Sequence, residues 1–149
     1  MSELEQTQLV REMFDAWNKH DVARYSTVLH AACTVEWTAR RQAARGDLVG
    51  SETASAAMRH WLSVFPDLHF DVEATASSGG RVVASWRATA TRADGGLETR
   101  GCSVVAVQGE RIVHVWSYWD SDQMLRHLSE PRQRGSDRDV PAHSVPAAS

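Results

Sequence analysis

Cysteine is scarce in this chain. Cys33 and Cys102 are the only two, too few for a disulfide framework and with no CxxC-type spacing between them. Both thiols are expected to be reduced and buried, as suits a cytoplasmic protein. No apolar run approaches the roughly 20 residues that a membrane-spanning helix needs. The opening residues MSELEQTQLVREM are acidic and amphipathic, which is not the pattern of a secretory signal. Charge of one sign is also lacking: the net charge is -3, which leaves no basic footprint for nucleic acid or an acidic membrane surface. The seven His are scattered without metal-ligand spacing, so no metal site is expected. The motifs GxGxxG after a strand, GxxxxGK[ST], HExxH and GxSxG are all missing, and no cofactor is expected.

What is present is ordinary globular material. The chain has 149 residues, 42% of them hydrophobic and 23% charged, enough to bury one real core. Residues 1–130 read as a single domain. Residues 131–149 lose all periodicity and are rich in Pro, Ser, Arg and Asp, which predicts a disordered tail.

Leu9, Val10, Met13, Phe14 and Trp17 form one stripe at helical spacing over residues 4–19. Asp21 is placed to cap a second short helix that runs to about Val28. Residues 33–38 (CTVEWT) read as a strand, and the polar, glycine-bounded stretch 40–50 as a loop. A third helix opens at Ser51, turns Ala57, Met58, Trp61, Leu62 and Phe65 inward, and ends at Pro66. From there the period becomes two. Leu68, Phe70, Val72, Ala74 and Ala76 form one face of a strand, and Val82, Ala84, Trp86, Ala88 and Ala90 one face of the next. Two more strands, over 97–107 and 111–119, complete an antiparallel meander. Helices followed by a meander argue an α+β fold.

The last strand carries the most chemistry. Regular alternation would put Ile112, His114, Trp116, Tyr118 and Asp120 on one face. A carboxylate at the end of that aromatic face would have its pKa raised toward the range useful for proton transfer. Capping of a helix over 121–128 would equally account for Asp120. Six Trp is a high count, which fits either a well-filled core or an aromatic-walled pocket.

Three segments, 14–21 (FDAWNKHD), 65–73 (FPDLHFDVE) and 109–128 (GERIVHVWSYWD followed by MLRHL), occur in an order and spacing that resembles the SnoaL-like polyketide cyclases of the nuclear transport factor 2-like superfamily. The resemblance implies a cone-shaped α+β barrel, with N-terminal helices packed on a strongly curved antiparallel sheet and the ligand inside the cone. It also implies a homodimer and a small-molecule, polyketide-type substrate. In ring-closing members an Asp at the end of the last strand deprotonates a carbon beside a carbonyl, and Asp120 stands at that position. Tyr118, two residues away, would orient the ligand.

Those cyclases resemble one another in a His near the substrate carbonyl, and here the matching residue is Ser103. The aldol route is thereby weakened relative to a pericyclic [4+2] closure, which needs a shaped aromatic pocket more than a base. Phe14, Trp17, Trp37, Trp61, Trp86 and Trp116 are the candidate pocket residues beside Ser103. Glu36 is a candidate second acid or a solvent-facing residue. His114 lies about 20 Å from Asp120 along the strand, which suits a structural or dimer-facing role. Arg87 shares a face with Thr89 and Thr91 and reads as solvent-facing. Epoxide hydrolysis or isomerisation on the same fold, and non-catalytic small-molecule binding, are the alternatives.

Overall fold

The first helix, α1 (Glu3–Asn18), begins at a reciprocal cap. The Ser2 hydroxyl accepts from the Glu5 N–H at 3.1 Å, and the Glu5 carboxylate accepts from the Ser2 N–H at 2.8 Å. In this computed structural model the described residues are 1–39, 46–92 and 95–119. The expected stripe is the one that α1 buries, with Leu9, Val10, Met13 and Phe14 all inside. Lys19 closes the helix, and His20 turns the chain at a φ of 57°. Asp21 then caps α2 (Val22–Val28) by accepting from the Arg24 N–H at 3.0 Å.

The remaining elements are β1 (Leu29–Ala39), β2 (Gly46–Val49), α3 (Ser51–Val64), β3 (His69–Ser78), β4 (Arg81–Arg92), β5 (Gly95–Gln108) and β6 (Arg111–Trp119). Residues 46–49, expected within a loop, instead form a strand paired antiparallel with β1. Polar composition concealed it, because an edge strand is held by backbone bonds and asks little of its side chains. The six strands lie in the order β2-β1-β6-β5-β4-β3. The meander β3 to β6 is antiparallel as expected, but β1 runs parallel to β6, so the sheet is mixed. Three helices cover one face of it, giving the expected α+β architecture.

Two bulges change which residues face inward. In β3, Glu73 is an extra residue between Val72, which faces Trp86 of β4, and Ala74, which faces Ser85. Beyond it, Thr75 and Ser77 take the half-buried positions while Ala74 and Ala76 are exposed, against the expected alternation. In β6, Val113 is the extra residue: Ile112 pairs with Val107 of β5, and His114 already pairs with Ala106. Ile112 is fully buried, and after the bulge the inward positions are Val115, Ser117 and Trp119. One inserted residue exchanges the two faces of everything that follows.

The end of α1 is tied to β3 by one side chain. The Asn18 amide donates to the Phe70 carbonyl at 2.8 Å, and its oxygen accepts from the Phe70 N–H at 2.7 Å. Asn18 thereby acts as a one-residue strand partner for the edge of the sheet, 52 residues away in sequence. Among the described residues no helix is long and apolar enough to cross a membrane.

Cutting Asn18 back leaves both partly buried groups of Phe70 without their partner. Asn18→Ala is expected to lower the unfolding free energy by about 2–3 kcal/mol, read from urea denaturation. An effect within about 0.5 kcal/mol would mean that water replaces the clamp.

Candidate functional site

The inner face of the sheet and the three helices enclose a cavity of about 740 Å³, its open mouth included. Its walls follow from the alternation just described. Strand β4 contributes Trp86, β5 contributes Ser103, and β6 contributes Val115, Ser117 and Trp119. The helices supply Phe14 and Trp17 from α1, Tyr25 from α2, and Trp61 from α3.

The aromatic rings form a connected series. Phe14 and Trp17 each meet Phe70 edge to face, with centroids 5.7 and 5.6 Å apart. Phe70 meets Trp86 at 5.1 Å, Trp86 meets Trp119 at 6.2 Å, and Trp119 meets Trp61 at 5.7 Å. Such edge-to-face contacts fix ring orientation as well as burying area. The result is a stiff aromatic wall running from α1 across the sheet to α3.

Gly101 makes this wall possible. It pairs with Trp86 on one side and Trp119 on the other, and the Trp86 ring lies over it. A Cβ there would come within 2.7 Å of that ring and 2.5 Å of the Tyr118 carbonyl oxygen. A glycine inside a strand is the sequence signal of such a close approach.

Among the described residues, polar groups in the lining are few and uncharged. The Trp86 indole N–H donates to the Ser103 hydroxyl at 3.0 Å, and Ser103 and Ser117 share a hydrogen bond of 2.8 Å. The Trp119 indole nitrogen is buried and has no partner among the described residues. Burial pushes the Tyr25 phenol far above its ordinary pKa and the neighbouring Cys33 thiol adds to this, while a hydrogen bond with Trp17 opposes it. Tyr25 is therefore a neutral hydroxyl at physiological pH and not a base. Among the described residues, no carboxylate, imidazole, ammonium or guanidinium lines the cavity. No three His, Cys, Asp or Glu of those residues converge as a metal site.

The expected pocket residues Phe14, Trp17, Trp61, Trp86 and Ser103 all line the cavity. Trp116 and Tyr118 do not, because the Val113 bulge turns them to the outer face of the sheet. Tyr118 is 44% exposed there, so it cannot orient a ligand inside the cavity. Trp116 stacks on the His114 ring at 3.7 Å, with the Arg81 guanidinium 5.2 Å from its own ring. Glu36 joins the same outer cluster through a 2.5 Å hydrogen bond to His114. Arg87 pairs with Glu98 at 3.0 Å and with Asp71, on exposed surface. The backbone of Trp37 pairs with Ser117, but its side chain lies outside the described part of the chain. Asp120 lies outside the described residues altogether.

Sequence reasoning missed Tyr25, Ser117 and Trp119. The last two become legible only once the bulge is known. Tyr25 sits among polar neighbours on a helix of 7 residues, too short to show a periodic stripe.

Residues 10–115 match the SnoaL-like domain family. No curated protein matches the chain. Among solved structures, it is similar to a proposed SnoaL-like polyketide cyclase from Jannaschia sp. CCS1 at 16% identity and a TM-score of 0.73, over 85% of this chain and 92% of that one. AclR, a proposed hydroxylase from Streptomyces galilaeus, matches at 19% identity and 0.70, over 85% and 97%. A protein of ketosteroid isomerase-like fold from Catenulispora acidiphila, solved with trimethylamine, matches at 15% identity and 0.71, over 90% and 97%. At these identities the likeness is one of fold.

Gly101→Ala tests the aromatic wall, since both the Trp86 ring and the β6 backbone at Tyr118 crowd the added methyl group and must give way. It is expected to cost about 2–3 kcal/mol in chemical denaturation and to alter the near-ultraviolet dichroism of the Trp cluster. An unchanged spectrum and stability would contradict the packing described.

Proposed function

Because the chain belongs to the SnoaL-like domain family, we propose that it is a cofactor-independent cyclase, forming a ring on a polyketide-type intermediate held in the aromatic cavity. The single observation that carries this reading is the cavity wall itself: connected aromatic rings, a few neutral polar groups, and no charged side chain among the described lining. Such a wall suits a flat or polyene-bearing substrate. It acts on that substrate by holding it folded, so that reacting carbons spend their time near bonding distance.

That chemistry favours a pericyclic [4+2] closure directed by shape. It asks for no proton transfer, and the lining among the described residues offers no strong acid or base. Ser103 and Ser117 supply hydrogen bonds that can polarise a substrate carbonyl. An aldol closure would instead draw on Asp120 as the base, with Ser103 steadying the enolate oxygen. Epoxide opening, which needs paired acids around a water, finds no support in the described lining. We place the reaction in the cytoplasm, which the two free cysteines support.

We also infer a homodimer. All three helices lie on the inner side of the sheet. The outer face leaves Val83 and Tyr118 exposed beside Trp116. A second copy packed on that face would cover this apolar surface.

Two experiments test these readings. Product formation from a linear polyene thioester, followed by mass spectrometry, is expected to fall at least about 100-fold in Trp61→Ala and to stay within about threefold of wild type in Asp120→Asn. The reverse pattern would establish the aldol route, and no turnover by the wild-type chain on any polyene or polyketone would leave a binding protein. Sedimentation equilibrium is expected to return twice the chain mass, and Val83→Lys to return the single chain. A monomeric wild type would remove the dimer.

A further inference from the structure

Trp86 stands among small residues. On the inner face of β4 it lies between Ala84 and Ala88, both fully buried, and across the sheet it pairs with Gly101 of β5. Its ring is pinned at several points. The indole N–H donates to Ser103 Oγ at 3.0 Å. The Cη2 and Cζ2 atoms lie over Gly101, 2.7 and 2.8 Å from where a Cβ would stand. Phe70 and Trp119 flank the ring edge to face, at interplanar angles of 87° and 75°. Swinging the indole to another rotamer would break the hydrogen bond and both ring contacts together.

The same ring borders the cavity, so it is a fixed partition with ligand space on one side and the sheet on the other. What it fills is a flat slot. Gly101 forms the base of that slot, the Phe70 and Trp119 rings its sides, and the Ser103 hydroxyl stands at its edge. A space that holds an indole between two steeply inclined rings holds another flat ring equally well. Ala84 and Ala88 could not close it, because neither has a side-chain atom beyond Cβ.

We propose that Trp86 is a specificity-determining residue that sets the length of ligand the cavity accepts, its own indole occupying a subsite that would otherwise take the terminal ring of a longer linear substrate. A carbon added to such a ligand strengthens binding only while it leaves water. Once the inner end of the ligand abuts the indole, further length stays at the open mouth and adds nothing. Trp61 borders the cavity from the helical side, so its ring governs breadth rather than this length. The inference rests on the cavity being the substrate site, and it adds a limit of length to that reading.

The diphenylpolyenes from stilbene to diphenyloctatetraene lengthen by one double bond at a time and fluoresce, so their affinities can be read by titration with the full chain. The wild type is expected to bind more tightly along the series up to a limiting member and then to level off. In Trp86→Ala the limit should move at least one member further, and the first member beyond the wild-type limit should gain about tenfold in affinity. Trp61→Ala is expected to shift the affinity of every member alike and to leave the limit in place. A wild type whose affinity shows no limit within the series, a limit unmoved in Trp86→Ala, or an equal displacement in both variants would overturn the role of Trp86 while leaving the cavity reading intact. Binding of no member would overturn both. Should Trp86→Ala fail to fold, photolysis of the wild-type chain with a biphenyl carrying a trifluoromethyldiazirine at each end decides. Label on the tryptic peptide 82–87, in which Trp86 is the residue that lines the cavity, supports the proposal, and label confined to other peptides overturns it.

Discussion

One residue, Val113, decides which half of β6 faces the ligand space. Without its bulge, His114, Trp116 and Tyr118 would carry on the inward phase set by Ile112, and the cavity would be lined by an imidazole, an indole and a phenol. With it, those three turn outward beside Glu36 and Arg81, and Val115, Ser117 and Trp119 turn in. The neutrality of the cavity lining among the described residues follows from this exchange of faces. So does the outer cluster, where a titratable His and a Glu meet on a surface that tolerates charge. A strand offers only two directions, so a local insertion has an effect along its whole remaining length.

Much of the fold was legible because it rests on periodicity. The α1 stripe, the Asp21 cap, the end of α3 near Pro66 and the regular alternation of Val82 to Ala90 all appear where patterning places them. Cavity residues on those regular elements, Phe14, Trp17, Trp61 and Trp86, were legible for the same reason, while Ser103 was legible only through the resemblance to the SnoaL-like cyclases. Where it failed, the cause was specific. Val113 is an ideal strand residue, so nothing in its chemistry marks it as the inserted one. Glu73 in β3 is likewise surrounded by a pattern that reads as unbroken. The short β2 carries no hydrophobic alternation, and the parallel pairing of β1 with β6 joins the two ends of the domain, a contact that no local pattern encodes.

The helices do more than cover the sheet. Asn18 fixes the last turn of α1 against β3 through the backbone of Phe70, and the Phe70 ring is the hub where Phe14, Trp17 and Trp86 meet. Backbone clamp and aromatic hub are therefore the same residue. A shift of α1 would be transmitted directly to the ring series, because close-packed rings adjust in discrete steps rather than continuously. Solved structures at 15–19% identity keep this scaffold. Shared fold at that distance constrains the frame and leaves the wall free to vary, which is how one architecture comes to serve different chemistries.

Gly101 sets a limit on that freedom. A Cβ at position 101 would meet the Trp86 ring on one side and the Tyr118 carbonyl oxygen, 2.5 Å away, on the other. Trimming Trp86 to a smaller residue would clear only the ring, and the backbone of β6 would still hold position 101 to glycine. The glycine is thus locked twice, once by a side chain that can be exchanged and once by a backbone that cannot, so the depth of the cavity can change at position 86 while its floor at position 101 stays bare.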